Sequence, residues 1–438
     1  MISKNVENLV QFMTESPSSF QAVETMCRML QDAGFSELQE NARWQLERGG
    51  KYYVTRNRSS LIAFSLPQGP YRGYQIVAAH SDSPAFKIKE RAELTGENHY
   101  VRLDTEKYGG MIDSTWFDRP LSVAGRILVR TDTGVRTIPV NLNRDMLLIP
   151  NVAIHLNRSV NDGYKYQPHI DLMPLWGSAA TKGSFRKTVA EAAGVSEEDI
   201  VGSDLYLYNR EAPRVWGVAD EFISSGHLDD LECAFAGMQA LLQSAPRHHA
   251  SVCAVFDNEE IGSGTKQGAH ATFLKDVLKR VNRAFGGDAE DYMTELASSF
   301  MISADNAHAT HPNHPELSDP INRVYMNEGI VIKFNSRKYS TDGVSEAIFR
   351  ELCRMANIPV QSYANRSDIA GGSTLGNISG TQVSINTVDI GLAQLAMHSS
   401  YETAGTKDVD YLIDALRLFY SSDITALQDG EYNLENDQ

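Results

Sequence analysis

Val252-Cys253-Ala254-Val255-Phe256 runs directly into Asp257-Asn258-Glu259-Glu260-Ile261-Gly262-Ser263, and the reading of this junction decides the fold. An apolar run of strand length ends in three acids within four residues, and a glycine turn follows. Like charges crowded at a strand end repel one another, so the pattern is costly unless something cationic sits among them. Two adjacent carboxylates also permit a division of labour, one holding a metal while its neighbour moves protons. Taken alone, the stretch reads as readily as a solvated acidic turn.

Two more apolar runs end in the same way. Tyr74-Gln75-Ile76-Val77-Ala78-Ala79 has the texture of a strand buried on both faces and stops at His80-Ser81-Asp82-Ser83-Pro84. A histidine followed two residues later by an aspartate suits a metal ligand and a carboxylate that orients it. Phe300-Met301-Ile302-Ser303-Ala304 stops at Asp305-Asn306-Ala307-His308. One such ending is weak evidence. Three of them carry His80, Glu259/Glu260 and Asp305 to the carboxyl edge of one sheet, which is where open α/β folds bind ligands.

Around this frame, Ser19 to Ala33 reads as an amphipathic helix with Phe20, Val23, Cys27 and Leu30 on one face and Ser18 or Ser19 capping its start. Lys51–Thr55 and Ser60–Phe64 read as a strand pair. From Lys89 to Glu221 the pattern shifts to short alternating segments, including a hairpin through Asp132-Thr133-Gly134, with little helix before Ser184–Ala193. We therefore expect residues 1–88 and 223–438 to form an α/β catalytic domain. It would be a three-layer α/β/α arrangement with a mixed central sheet, interrupted by a mostly-β, barrel-like insertion at 89–222. His155, in an apolar stretch, is by default a core histidine.

Further candidates lie in the second α/β segment. Asp229 and Asp230 open a helix that carries Leu231, Phe235, Met238 and Leu242 on one face, a position where acids commonly cap and offset the dipole; a functional reading needs one of them turned toward the strand ends. Lys333 interrupts the strand run Gly329–Phe334 and would recognise an anion if it faced the site. Ala370–Gly376 is a glycine-rich turn without the Lys-Ser/Thr of a phosphate loop. His398 precedes a helix expected at Val409–Phe419.

Composition narrows the class. A formal net charge of −16 over 438 residues argues against binding nucleic acid or an anionic membrane. No run reaches the roughly 18 apolar residues of a membrane span, and the first residues lack an apolar signal core, so a cytoplasmic location is expected. The four cysteines, Cys27, Cys233, Cys253 and Cys353, form no CxxC pair and read as buried free thiols.

His80, Asp229, Glu260, Asp305 and His398 form a borderline nitrogen and oxygen ligand set suited to Zn²⁺, with Co²⁺ or Mn²⁺ as alternatives. Five ligands exceed the need of one catalytic ion and suit two divalent ions about 3.5–4 Å apart. The chemistry would be hydrolysis, with Glu259 taking the proton of a water held between the ions. At this point the quoted motifs, together with Leu395-Ala396-Met397-His398-Ser399, resemble the M18 metalloaminopeptidases, most closely the bacterial aspartyl aminopeptidases, from end to end.

That resemblance implies specific roles. His80, Asp229 and Asp305 would bind one ion, and Asp229, Glu260 and His398 the other, with Asp229 bridging. Glu259 would be the general base and then acid, and Asp82 would orient His80. Lys333 would pair with an acidic first side chain of the peptide, while His308, Tyr339 and Gly372-Ser373-Thr374 line the pocket. His155 would reach a neighbouring subunit's site in a tetrahedral homododecamer built from dimers through the inserted domain. Many relatives have Leu-Asp-Asn at Leu228-Asp229-Asp230, so an exchange of roles between Asp229 and Asp230 stays open. Two other readings remain at this stage: a related dinuclear deacylase or carboxypeptidase, and a self-assembling scaffold with structural metal.

Overall fold

The computed structural model describes residues 2–96 and 99–436. Nine strands form the central mixed sheet: β1 (Ser36–Glu37), β2 (Lys51–Arg56), β3 (Ser60–Ser65), β4 (Gly73–His80), β5 (His249–Phe256), β6 (Phe300–Ala304), β7 (Ile330–Phe334), β8 (Val360–Ala364) and β9 (Asn386–Gly391). Their spatial order is β1-β2-β3-β5-β4-β6-β9-β7-β8. The middle strands β5, β4, β6 and β9 run parallel, while β3 and β7 run antiparallel to their neighbours β5 and β9.

Every residue of β4, β5 and β6 is buried, because helices cover both faces. Alternation along β4 divides the core. Ile76 and Ala78 pack in one cluster with Phe273 and Val277, and Val77 and Ala79 in the other with Phe235 and Leu412. The first cluster is covered by α4 (Phe273–Ala284). The second is covered by α1 (Lys4–Glu15), α2 (Ser19–Asp32), α3 (Leu228–Leu242), α5 (Gly343–Met355) and α6 (Thr406–Ser421). This is a three-layer α/β/α arrangement, and fully burying one large apolar side chain in it is worth about 1.5–3 kcal/mol.

Several elements differ from expectation. Helix α3 is buried nearly all round rather than on one face. Its small residues permit close approach: a Cβ at Gly237 would lie 3.1 Å from a Val77 methyl group. Helix α6 begins at Thr406, not Val409. Ser18 occupies the N-cap of α2 without a side-chain cap, since its hydroxyl hydrogen-bonds Gln21 instead.

Residues 85–209 contribute a six-stranded sheet in which every adjacent pair is antiparallel. It includes the hairpin Leu121–Thr131 and Gly134–Asn141. A short segment pairs Leu147 with Leu121 and Leu148 with Leu175, linking the edge strand Leu175–Ser178 back toward the hairpin. This sheet has its own core, with Phe86, Trp116, Ile127 and Leu205. A five-stranded sheet, built from 214–216, 222–225, 307–308, 393–395 and 402–405, lies beside the carboxyl edge of the central sheet.

Candidate metal centre

The register places the site. Phe256 at the end of β5 pairs with His80 at the end of β4, so the acidic turn 257–260 begins level with that histidine. Ser303 pairs with Ala78, so Asp305 lies just beyond the same edge. A fourth contribution comes from the start of α3. His227 sits at φ +64 and Asp229 is non-helical at φ −81, ψ 107. The two aspartates thereby leave capping duty and turn toward the strand ends.

The side chains converge. His80 Nε2 lies 3.6 Å from Asp229 Oδ1, and His398 Nε2 lies 3.3 Å from both Asp229 Oδ2 and Glu260 Oε1. His80, Asp229, Asp230 and Asp305 each offer a ligand atom within 4.8 Å of the others, as do Asp229, Glu260 and His398. Asp229 belongs to both groups, and its two oxygens face the two histidines. Asp230 Oδ2 is occupied in accepting the backbone N–H of His80 at 3.1 Å.

Charge is out of balance here. Asp229, Asp230, Asp305, Glu259 and Glu260 meet two imidazoles and the Lys333 ammonium, whose Nζ is 3.2 Å from Asp305 Oδ1. Burial, followed by mutual repulsion, pushes Glu259 up to about 9 and Asp230 well above its ordinary value. Burial also raises Glu260 to about 7, against the pull of His398. Burial opposes charge on His398, but contacts with Asp229 and Glu260 override it and raise the imidazole to about 11. Asp229, paired with both histidines, is held below the ordinary carboxylate range although burial opposes this. Protons thus stand in for cations.

Divalent ions fit this donor set. Asp229 Oδ1, Asp230 Oδ1 and Glu260 Oε1 are buried and accept no hydrogen bond among the described residues. A buried carboxylate oxygen left unpaired is costly, and coordination would satisfy it. Imidazole nitrogen with carboxylate oxygen is the combination that borderline divalent metals take.

The other sequence candidates fall in distinct places. The Nδ1 of His80 faces the backbone carbonyl oxygen of Asp82 at 3.0 Å and its carboxylate at 3.5 Å. That carboxylate accepts the N–H groups of Glu259 at 3.0 Å and Glu260 at 3.2 Å, and the Tyr108 hydroxyl at 2.7 Å. Lys333 is 2% exposed, so it neither snorkels nor lies on an open edge. Its Nζ also donates to Asn306 O at 2.9 Å and stands 5.5 Å from the Tyr339 ring centre. Thr374 donates to Asp389, which also accepts the Ser340 N–H, so the Gly372–Thr374 turn and the Tyr339 segment share one anchor. His308 is exposed; the protein around it and then the Lys333 ammonium hold its pKa below the ordinary imidazole value.

His155 departs from the core-histidine expectation. It is exposed, among Val152 at 53%, Ile154 at 49% and Leu156 at 84% exposure, so this apolar stretch is surface. Asp257, unassigned from the sequence, is buried and accepts the Asn258 N–H at 2.9 Å. Sequence reading missed Tyr108, Asn306 and Glu402. The Asn306 amide donates to Leu228 O, Glu232 and Gln394, and Glu402 accepts the N–H groups of Asp229 and His398. The only sequence signal for Glu402 is an acid at the head of a strand close behind His398.

A three-layer α/β/α chain that gathers histidines and carboxylates at its parallel strand ends has the make-up of a metal-binding α/β protein. Comparison with known proteins makes this specific. The family model of the aminopeptidase I zinc metalloproteases (M18) matches residues 12–420. A probable M18 family aminopeptidase 2 of Clostridium acetobutylicum is 46% identical over 424 residues, covering 95% of this chain and 98% of that protein. Among solved structures, one of an Ape4 and Nbr1 complex superposes with TM-score 0.92 at 33% identity, covering 95% of this chain and 85% of that one. The dodecamer of S. cerevisiae mApe1 gives 0.84 at 27% identity, covering 95% and 96%. The chain belongs to the M18 family of zinc metallo-aminopeptidases. Among the described residues no helix is long and apolar enough to cross a membrane.

Proposed function

We propose that the chain is a dinuclear zinc aminopeptidase that removes acidic first residues from peptides. The observation that carries this reading is Asp229, whose two oxygens face His80 and His398 within two overlapping ligand groups. His80, Asp229 and Asp305 would hold one ion, and Asp229, Glu260 and His398 the other, with Asp229 favoured over Asp230 as the bridge. Two such ions, when bound, polarise the scissile carbonyl and acidify the attacking water.

The chain's own groups do the rest. Glu259 lies beside these ligands with its carboxylate free of hydrogen bonds among the described residues, so it can take the water's proton and pass it to the leaving amine. Asp82 clamps the turn that carries Glu259 and Glu260 through both backbone N–H groups. Lys333 spends two of its three donors on Asp305 and Asn306. Its third hydrogen is available to an acidic side chain, with Tyr339, His308 and the Gly372-Ser373-Thr374 turn around it. The net charge of −16 repels acidic peptides at long range, so recognition has to be local.

The six-stranded sheet would serve as the dimerisation domain of a homo-oligomer, with His155 presented to a neighbouring subunit; support comes from the dodecameric relative. Free cysteines, three of them buried, fit a reducing cytoplasm. The test is a panel of aminoacyl chromogenic substrates on metal-free protein, with Zn²⁺, Co²⁺ or Mn²⁺ added back. Fastest turnover on aspartyl or glutamyl substrates is expected, and faster turnover on leucyl substrates would remove the acidic preference.

A further inference from the structure

His398 stands in a backbone conformation its own segment does little to support. It lies at φ +67 and Ala396 at φ +54, the left-handed region that side chains enter only when surrounding structure holds them there. Two sets of contacts hold this loop, and they come from separate parts of the chain.

The first is Glu402, which is 2% exposed. Its Oε1 accepts the His398 N–H at 2.7 Å, and its Oε2 accepts the Asp229 N–H at 3.0 Å. Glu402 also pairs with Ser225, just before α3 begins. One carboxylate thus spans the backbones of two ligands that meet at one end of the metal centre but are remote in the chain. The second set comes from the six-stranded sheet, from the connection that carries Ile112 and Thr115 and from Asn209 at the end of the strand Ile200–Asn209. Ile112 N–H donates to His398 O at 3.0 Å, Ser400 N–H donates to Thr115 Oγ1 at 2.9 Å, and Asn209 Nδ2 donates to Ser400 O at 3.1 Å. None of these contacts uses the imidazole, whose Nε2 points at Asp229 and Glu260.

We infer that Glu402 is a positioning residue for the second metal ion, fixing Asp229 and His398 relative to each other, and that Thr115 completes the clamp from the inserted sheet. This rests on the dinuclear reading above. The chemistry requires two acceptors on one rigid group: glutamine keeps one carbonyl oxygen and turns an N–H₂ against the other backbone donor. Partners of this kind set ligand orientation, and their loss typically weakens metal affinity by about 10–100-fold.

The test measures Zn²⁺ binding to the metal-free full chain by titration calorimetry, and the Co²⁺ absorption spectrum of the same proteins. The unmodified chain should take two ions. Glu402→Gln should bind the first within about threefold of the unmodified affinity and the second at least about tenfold more weakly, losing one Co²⁺ component, with kcat lowered and KM little changed. Thr115→Val, which removes the acceptor for Ser400 N–H and the hydroxyl's own donation to Ile112 O, should weaken the same second ion by a smaller factor. If Glu402→Gln folds and binds both ions as the unmodified chain does, the inference is overturned. If Glu402→Gln fails to fold, Thr115→Val decides, and unchanged second-ion binding there overturns it. An unmodified chain that binds fewer than two ions overturns the dinuclear reading itself, whatever the variants do.

Discussion

Two buried acidic clusters in this molecule differ in how their charge is met. At the start of β5, Asp423 is fully buried against His248 Nδ1 at 2.5 Å, His249 Nδ1 at 2.9 Å and Arg247 Nε at 3.7 Å. It also accepts the His248 N–H at 3.2 Å. Burial alone would raise its pKa, but the two histidines pull it well below the ordinary carboxylate value. At the other end of the central strands, five carboxylates share two imidazoles and one ammonium, and four of the five are pushed upward. The first cluster is complete as it stands and pins the C-terminal hairpin of Asp423–Gln428 and Glu431–Glu435. The second keeps unpaired oxygens and needs cations from outside. A buried acid is therefore no mark of function by itself; an uncompensated set of them is.

That contrast can be broken most severely by removing metal. Chelation should abolish peptide hydrolysis, adding Zn²⁺ back should restore it, and the Asp423 hairpin should stay protected throughout in hydrogen exchange. Activity surviving exhaustive dialysis against chelator would erase the distinction. Next in size is Glu259→Gln, expected to lower kcat by roughly 10²–10⁴-fold with metal content per chain unchanged; near-normal turnover would remove Glu259 from proton transfer.

The balanced cluster predicts the converse phenotype. Asp423→Asn should cost about 2 kcal/mol of stability, as expected for hydrogen bonds to a charged group. Denaturant melts would show it, while kcat/KM at saturating metal stays within about twofold, because nothing in that cluster touches the centre. A catalytic defect without a stability change would contradict this. Lys333→Ala should slow all substrates by loosening Asp305. It should also cost aspartyl and glutamyl substrates an additional factor of about ten, on the order of one charge-assisted hydrogen bond. Equal losses on leucyl substrates would leave Lys333 a metal-centre residue only.

The smallest effect concerns pH. In the metal-free chain His398 is raised from 6.5 to about 11, Glu259 from 4.5 to about 9 and Glu260 from 4.5 to about 7. Groups raised in the folded state bind protons more tightly there than when unfolded. Their stabilising contribution is full below the ordinary values and is lost as pH rises through the folded ones. Metal must displace the same protons, so it binds more tightly as pH rises. The increase in Tm on adding Zn²⁺ should therefore grow from about pH 6 to about pH 8.5, both inside the Glu259 interval of 4.5 to about 9. A constant increment in calorimetry would show that the cluster does not carry these protons.

Much of the fold was legible because strands buried on both faces announce themselves. Tyr74–Ala79, Val252–Phe256 and Phe300–Ala304 are continuous apolar runs of strand length, and each ends in side chains that no core would choose. Helix α1 went unread, although Val6, Leu9, Phe12 and Met13 are its buried face. Helix α3 was misjudged as amphipathic, since small residues such as Gly237 let the sheet press against a second side.

What the sequence by itself determined is the edge of the site: three strand ends, the residue types they carry, and the family those motifs resemble. Tertiary structure alone decided which atoms face one another. The kink that turns Asp229 toward two histidines, the burial of Lys333 against Asp305, the exposure of His155, and the grip of Glu402 and Thr115 on the His398 loop all depend on segments far apart in the chain. Periodicity reports which face of an element is buried. It carries no information on which remote backbone N–H a carboxylate will find, because that pairing is set only when separate elements pack together.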